Sequence, residues 1–171
     1  VLQADKAHPM SGSNCICVVT ALLETGRVKM VEPETTLRLD TAAGLIVARA
    51  QCENGRCLSV SLDNVPAFAV SLDTPVKTTD FGTIRADIAF GGVFYALVDV
   101  DQIGLTITPE NARALAMTGV ELRNRIAAVE PAVHPVEPVL NGLAYAMFRS
   151  EEADGAVRKA RLRQGGHGEQ C

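Results

Sequence analysis

The chain has 171 residues, 47% of them hydrophobic, with a formal net charge of -4 and five cysteines. That length fits one domain, or one and a half, with a real core, and the slight negative charge gives no global pull toward nucleic acid or anionic membrane. No apolar run reaches the roughly 18 residues that a bilayer span needs, and Val1-Leu2-Gln3-Ala4-Asp5-Lys6 is not a basic-then-apolar leader.

In chain order, residues 1–9 are a polar lead-in ending in His8-Pro9, with His8 read as a loop residue. Met10-Ser11-Gly12-Ser13-Asn14 then runs into an apolar helix, Cys15 to Leu23, stopped at Gly26. The helix is apolar almost all round, which predicts burial on most sides, Cys15 and Cys17 included. Its start is the chemically interesting end. The first N–H groups of a helix have no partner within it, and the dipole adds positive charge there. Gly12, Ser13 and Asn14 are therefore candidate donors to a carboxylate or phosphate. A hydroxyl at Ser11 would sit beside the bound anion, where it could handle a proton.

Beyond the helix the period changes to two. Val28 to Val31 reads as a short strand ended by Pro33. Thr35 to Thr41, Leu45 to Ala50 and Arg56 to Leu62 alternate, with turns at Ala42-Ala43-Gly44 and Glu53-Asn54-Gly55. The prediction is a β-meander around the helix, with Asn64 to Ala69 as an exit loop. A second unit starts near Thr74-Pro75. It has strands over Gly82–Phe90 and Val93–Val100, interrupted by Gly91-Gly92, which either let the backbone approach a ligand or form a β-bulge. Asp99 and Asp101 read as a solvated turn. A helix follows from Pro109 to about Val129, capped by Thr108, with Gly119 as its weak point. Pro131 to Pro138 is a linker, and Leu143 to Phe148 a last strand. The expected division is 1–73, a partial first domain; 74–149, an incomplete second; and 150–171, a disordered tail. The basic cluster Arg158, Lys159, Arg161 and Arg163 belongs to that tail and reads as solvated, not as an RNA or membrane contact.

Cys52 and Cys57 flank a hairpin turn, where a disulfide is geometrically possible, but the ordinary cysteine content favours free thiols in a reducing cytosol. The cysteine spacings, Cys171 included, match no common zinc pattern.

The run MSGSNCICVVTALLETG resembles the first catalytic motif of the proline racemase and hydroxyproline epimerase family. The resemblance extends from residue 8 to about 149. It takes in Asn64-Val65-Pro66-Ala67-Phe68, Gly82-Thr83-Ile84, Ala89-Phe90-Gly91-Gly92-Val93-Phe94 and Gln102-Ile103-Gly104. It implies an α+β, diaminopimelate-epimerase-like fold, a mixed β-barrel around a central helix, here with an incomplete second domain. It also implies a cytoplasmic isomerase of amino-acid catabolism acting on a small molecule, hydroxyproline or proline, with no cofactor, no metal, no nucleic acid and no membrane. Ser11 would be the acid/base, and Gly12, Ser13 and Asn14 would bind substrate. Inverting a stereocentre needs a base on one face and an acid on the other, and fixed N–H dipoles must stabilise the carbanion between them.

Two departures stand out. Ser11 stands where many members have cysteine, as in serine-type members resembling hydroxyproline 2-epimerases and trans-3-hydroxy-L-proline dehydratases, and Ser13 stands where histidine is common. The family's second motif, an Asp-Arg-Ser-Pro-like segment, is not found. The expectation is an internal fragment, or frameshifted product, of a 4-hydroxyproline 2-epimerase. The alternatives are the dehydratase and an inactive half-domain that binds an anion or merely exposes an unfinished core; exposed strands such as Val93 to Val100 would favour aggregation or a homodimer.

Overall fold

The computed structural model describes the backbone of residues 7–151, 157–162 and 169–170 and the side chains of residues 7–150. The fold is α+β. Its strands form one three-stranded and one six-stranded sheet, and among the described residues neither closes into a barrel. The chain divides into two compact units. One runs to Ala67 and takes in Gly91–Val93; the other comprises Phe68–Phe90 and the chain from Phe94 on.

In the first unit, helix α1 (Gly12–Glu24) packs on an antiparallel sheet of β1 (Glu34–Thr41), β2 (Gly44–Glu53) and β3 (Arg56–Asp63). The meander is as the alternation predicts. Residues of one parity on β1 and β2, such as Leu37, Ala48, Ala50 and Cys52, join Val19 and Leu23 in one core. The helix corrects the expected burial. Only the stripe Cys15, Val19 and Leu23 is buried, while Cys17 is exposed and Ile16 and Val18 keep 40% and 48% of their surface. The sheet lies against one side, so a helix apolar all round buries only the i, i+4 row that meets it. Val28–Val31 is not a strand. Its hydrogen bonds close locally: Val28 N–H donates to the Leu22 carbonyl, and Val31 exchanges two 2.8 Å bonds with the Thr35 hydroxyl.

In the second unit the strands are β4 (Phe68–Lys77), β5 (Thr83–Phe90), β6 (Phe94–Asp99), β7 (Leu143–Glu151), β8 (Val157–Leu162) and β9 (Glu169–Gln170), side by side in that order. β6 and β7 are parallel, joined by a crossover through helix α2 (Ala112–Val129). Three expectations are corrected here. Residues 64–67 are the expected exit loop, but Phe68-Ala69 at its expected end and the start near Thr74-Pro75 belong to one edge strand, β4. Its alternation is hidden by irregular register after Ala69 and Ser71 and by Asp73 at φ 55. An edge position also tolerates Pro75. Val93 to Val100 exposes no apolar strand for dimerisation: β6 lies between β5 and β7, with Phe94, Ala96 and Val98 fully buried. Helix α2 runs unbroken through Gly119, which is buried against its neighbours; Pro109–Asn111 forms a separate 3-10 turn before it. Of the expected tail, residues 152–156, 163–168 and 171 lie outside the described residues, as do the side chains of the basic cluster. The backbone of 157–162 pairs antiparallel with β7, so that stretch is strand and not coil.

Asp99 corrects another reading. It ends β6, half exposed, and pairs with Arg149, whose guanidinium also reaches Asp87 at 3.0 Å, tying β5, β6 and β7 together, while exposed Asp101 lies in the expected turn. The Asp99 carboxylate, and then Asp87, holds the Arg149 guanidinium above its ordinary value.

Candidate active site

The start of α1 is anchored by Met10, which is buried beneath the loop that joins β5 to β6. A Cβ added at Gly92 would come within 3.1 Å of Met10 Cβ, and Gly92 sits at φ +98, a conformation that L side chains rarely adopt. Glycine alone meets both demands. Gly91-Gly92 is thus not a bulge but the tip of a three-residue hairpin loop, whose Gly92 is fitted onto the residue before the helix. Asn64 Nδ2 donates to the Gly91 carbonyl at 3.3 Å and fixes the same loop. His8 lies in the loop before the helix, as expected, and is buried.

Ser11 is the N-cap, with extended backbone at φ -148 and ψ 114. Its carbonyl accepts the first helical hydrogen bond, from Cys15 N–H at 3.0 Å. The N–H groups of Gly12, Ser13 and Asn14 precede that ladder and have no acceptor within the helix. A capping serine ordinarily turns its hydroxyl onto one of these groups. Ser11 makes no such bond. Its Oγ instead accepts from Asn14 Nδ2 at 2.8 Å and lies 3.4 Å from Ser13 Oγ. This leaves the backbone donors to an incoming anion and the Ser11 proton to a further acceptor. The amide dipole of Asn14, aimed at the oxygen, favours negative charge on it. No acidic side chain in the first turn offsets the positive end of the helix dipole.

Ser11, Gly12 and Asn14 are half-buried and Ser13 is exposed, so the turn is reachable. A Cβ at Gly12 would meet nothing closer than Leu62 Cδ1 at 3.9 Å, so packing does not demand a glycine there. Cys15 is buried and belongs to the core. Among the described residues no group of three or more His, Cys, Asp or Glu is gathered around a point that could hold a metal ion. Sequence reasoning missed the contact of Met10 with Gly92; the Gly-Gly pair was its only local signal. It also missed the donation from Asn14 to Ser11, which the i, i+3 spacing on a helix permits.

Against known proteins, the family model of proline racemase matches residues 1–166. The 4-hydroxyproline 2-epimerase of Allorhizobium ampelinum is 56% identical over 158 residues, which is 92% of this chain and 46% of that one. Among solved structures, a hydroxyproline epimerase from Agrobacterium vitis with bound trans-4-hydroxy-L-proline superposes with a TM-score of 0.93 at 53% identity, covering 98% of this chain and 49% of its own. A methylitaconate-delta-isomerase, 15% identical with a TM-score of 0.55 over 94% of this chain and 54% of its own, shares the fold. The chain spans about half the length of the relatives it matches.

Proposed function

The chain belongs to the proline racemase family, and on that premise we propose that it supplies one catalytic face of a 4-hydroxyproline 2-epimerase. The observation that carries the reading is the turn at Ser11: a hydroxyl that accepts from Asn14 in place of capping, beside the backbone N–H groups that start α1.

In this reading the substrate carboxylate lies on the N–H groups of Gly12, Ser13 and Asn14, within the positive end of the dipole. The Ser11 hydroxyl gives its own proton to solvent, and the resulting oxyanion, facing the α-carbon, takes the α-proton. Serine is a poor base unless its oxyanion is stabilised, and the Asn14 amide provides that. As the proton leaves, charge moves into the carboxylate, which the same N–H groups stabilise without rearranging. The reading calls on no pyridoxal and no metal. Inversion requires an acid on the opposite face. A proton taken and returned by Ser11 alone restores the same isomer but exchanges its hydrogen with solvent. Free thiols at Cys15, Cys17, Cys52 and Cys57 support cytoplasmic residence.

Titrating trans-4-hydroxy-L-proline into isotope-labelled chain tests the binding half of the proposal. The amide resonances of Gly12, Ser13 and Asn14 are expected to shift together and saturably. Saturable shifts confined to other segments, or none at all, would overturn it.

A further inference from the structure

We propose that Cys52 and Cys57 form a cross-strand dithiol that a small-molecule disulfide oxidises to an intrachain disulfide beneath helix α1. The two residues are direct partners in the β2–β3 register. Regular pairing out from Ala48↔Leu62 and Ala50↔Val60 would bring Cys52 opposite Leu58. The register instead shifts by one between Gln51 and Cys52, which turns Leu58 out to 63% exposure and brings Cys57 onto the core face beside Cys52. Both side chains join the core under α1: Cys52 Sγ contacts Thr35 Oγ1 at 3.7 Å, and Cys57 Sγ contacts Thr20 Oγ1 at 3.9 Å.

The backbone sets their spacing. Cys52 N–H donates to the Pro33 carbonyl at 2.8 Å, and Cys57 N–H to Glu24 Oε1 at 3.1 Å. Neither donates to the other, so they form a non-hydrogen-bonded pair, the closer of the two kinds, with Cα atoms about 4.5 Å apart. That falls within the roughly 4.4–6.8 Å that a disulfide spans. The sulfurs differ in access: Cys57 is half-buried and Cys52 buried. Cys57 thiolate attacks the external disulfide and releases one equivalent of its thiol. Cys52, losing its proton to solvent, then attacks Cys57 Sγ and releases the second. Two protein thiols are oxidised and one external disulfide is reduced. The buried partner makes the mixed disulfide short-lived, because the resolving sulfur is already in register.

Exposing the whole chain to oxidised glutathione, trapping with acid and alkylating tests this by peptide mapping. The expected product links Cys52 to Cys57, while exposed Cys17 carries glutathione. Cys52→Ser is expected to stop at a stable glutathione adduct on Cys57, and Cys57→Ser to leave Cys52 unmodified. A wild-type chain that accumulates glutathione on Cys57 with Cys52 still alkylatable would overturn the proposal. So would a chain that modifies Cys17 while both hairpin thiols stay reduced.

Discussion

In the proposed reading Ser11 separates chemistry from folding, because its hydroxyl makes no cap bond. Ser11→Ala should therefore destabilise the chain by less than the ~1 kcal/mol that removing a working N-cap costs, while abolishing α-proton exchange. Thermal melts and exchange rates on the same samples check both halves. Asn14→Ala removes a hydrogen bond to the oxygen that the proposed reading makes an oxyanion, a loss of about 1.5–3 kcal/mol, which corresponds to a rate roughly ten- to a hundredfold lower. Gly12→Ala should leave stability unchanged or slightly raised, since the added methyl meets only Leu62 at 3.9 Å. If the substrate carboxylate approaches that backbone, the same methyl should weaken its binding, which an amide-shift titration would show. Ser11, Gly12, Ser13 and Asn14 were legible as a candidate site because a helix start is local: residue type and position suffice to leave donors unpaired. The direction of the Asn14 side chain was not legible, since an asparagine at that position could equally have faced solvent.

Gly92 and Asp63 show what holds the elements that present the site. Gly92→Ala forces a side chain into φ +98 and within 3.1 Å of Met10. It should destabilise by about 1–3 kcal/mol and loosen the start of α1, read as a lower melting temperature and faster amide exchange at Ser13 and Asn14. Asp63 is held below its ordinary carboxylate value chiefly by the 2.6 Å hydrogen bond from Arg49, which pins β3 to β2. A depressed folded value means the contribution is full above the ordinary carboxylate range and is lost as pH falls through the folded value. Below about pH 4 the wild type should lose melting temperature more steeply than Asp63→Asn, and salt should shrink the difference because both groups are exposed. The hairpins of β1 to β3 were readable because alternation and an Asn-Gly turn agree. β4 was not, because two register shifts and a positive φ at Asp73 break its period. Val28 to Val31 has strand composition, but Thr35 and Leu22 take its hydrogen bonds first. The fit of Gly92 on Met10 joins residues far apart in sequence, and no local pattern encodes that pairing.

The whole chain sets its two units around separate cores: α1 on the sheet of β1 to β3, and α2 against the six-stranded sheet with β6 at its heart. The first unit carries the Ser11 turn, the loop tip Gly91–Val93 that seats Met10, and the paired hairpin thiols. The central claim is that this unit holds a working base for one face of the α-carbon. Proton NMR of the purified chain with trans-4-hydroxy-L-proline in heavy water tests it most directly, with Ser11→Ala and trans-3-hydroxy-L-proline as parallel arms. The account predicts that the α-proton signal of the 4-hydroxy substrate decays with enzyme and persists with Ser11→Ala. New epimer signals would show a second face at work as well, and an unsaturated ring product from the 3-hydroxy substrate alone would reassign the chemistry to dehydration. An α-proton that persists with the wild-type chain, or decays equally fast with Ser11→Ala, would contradict the account.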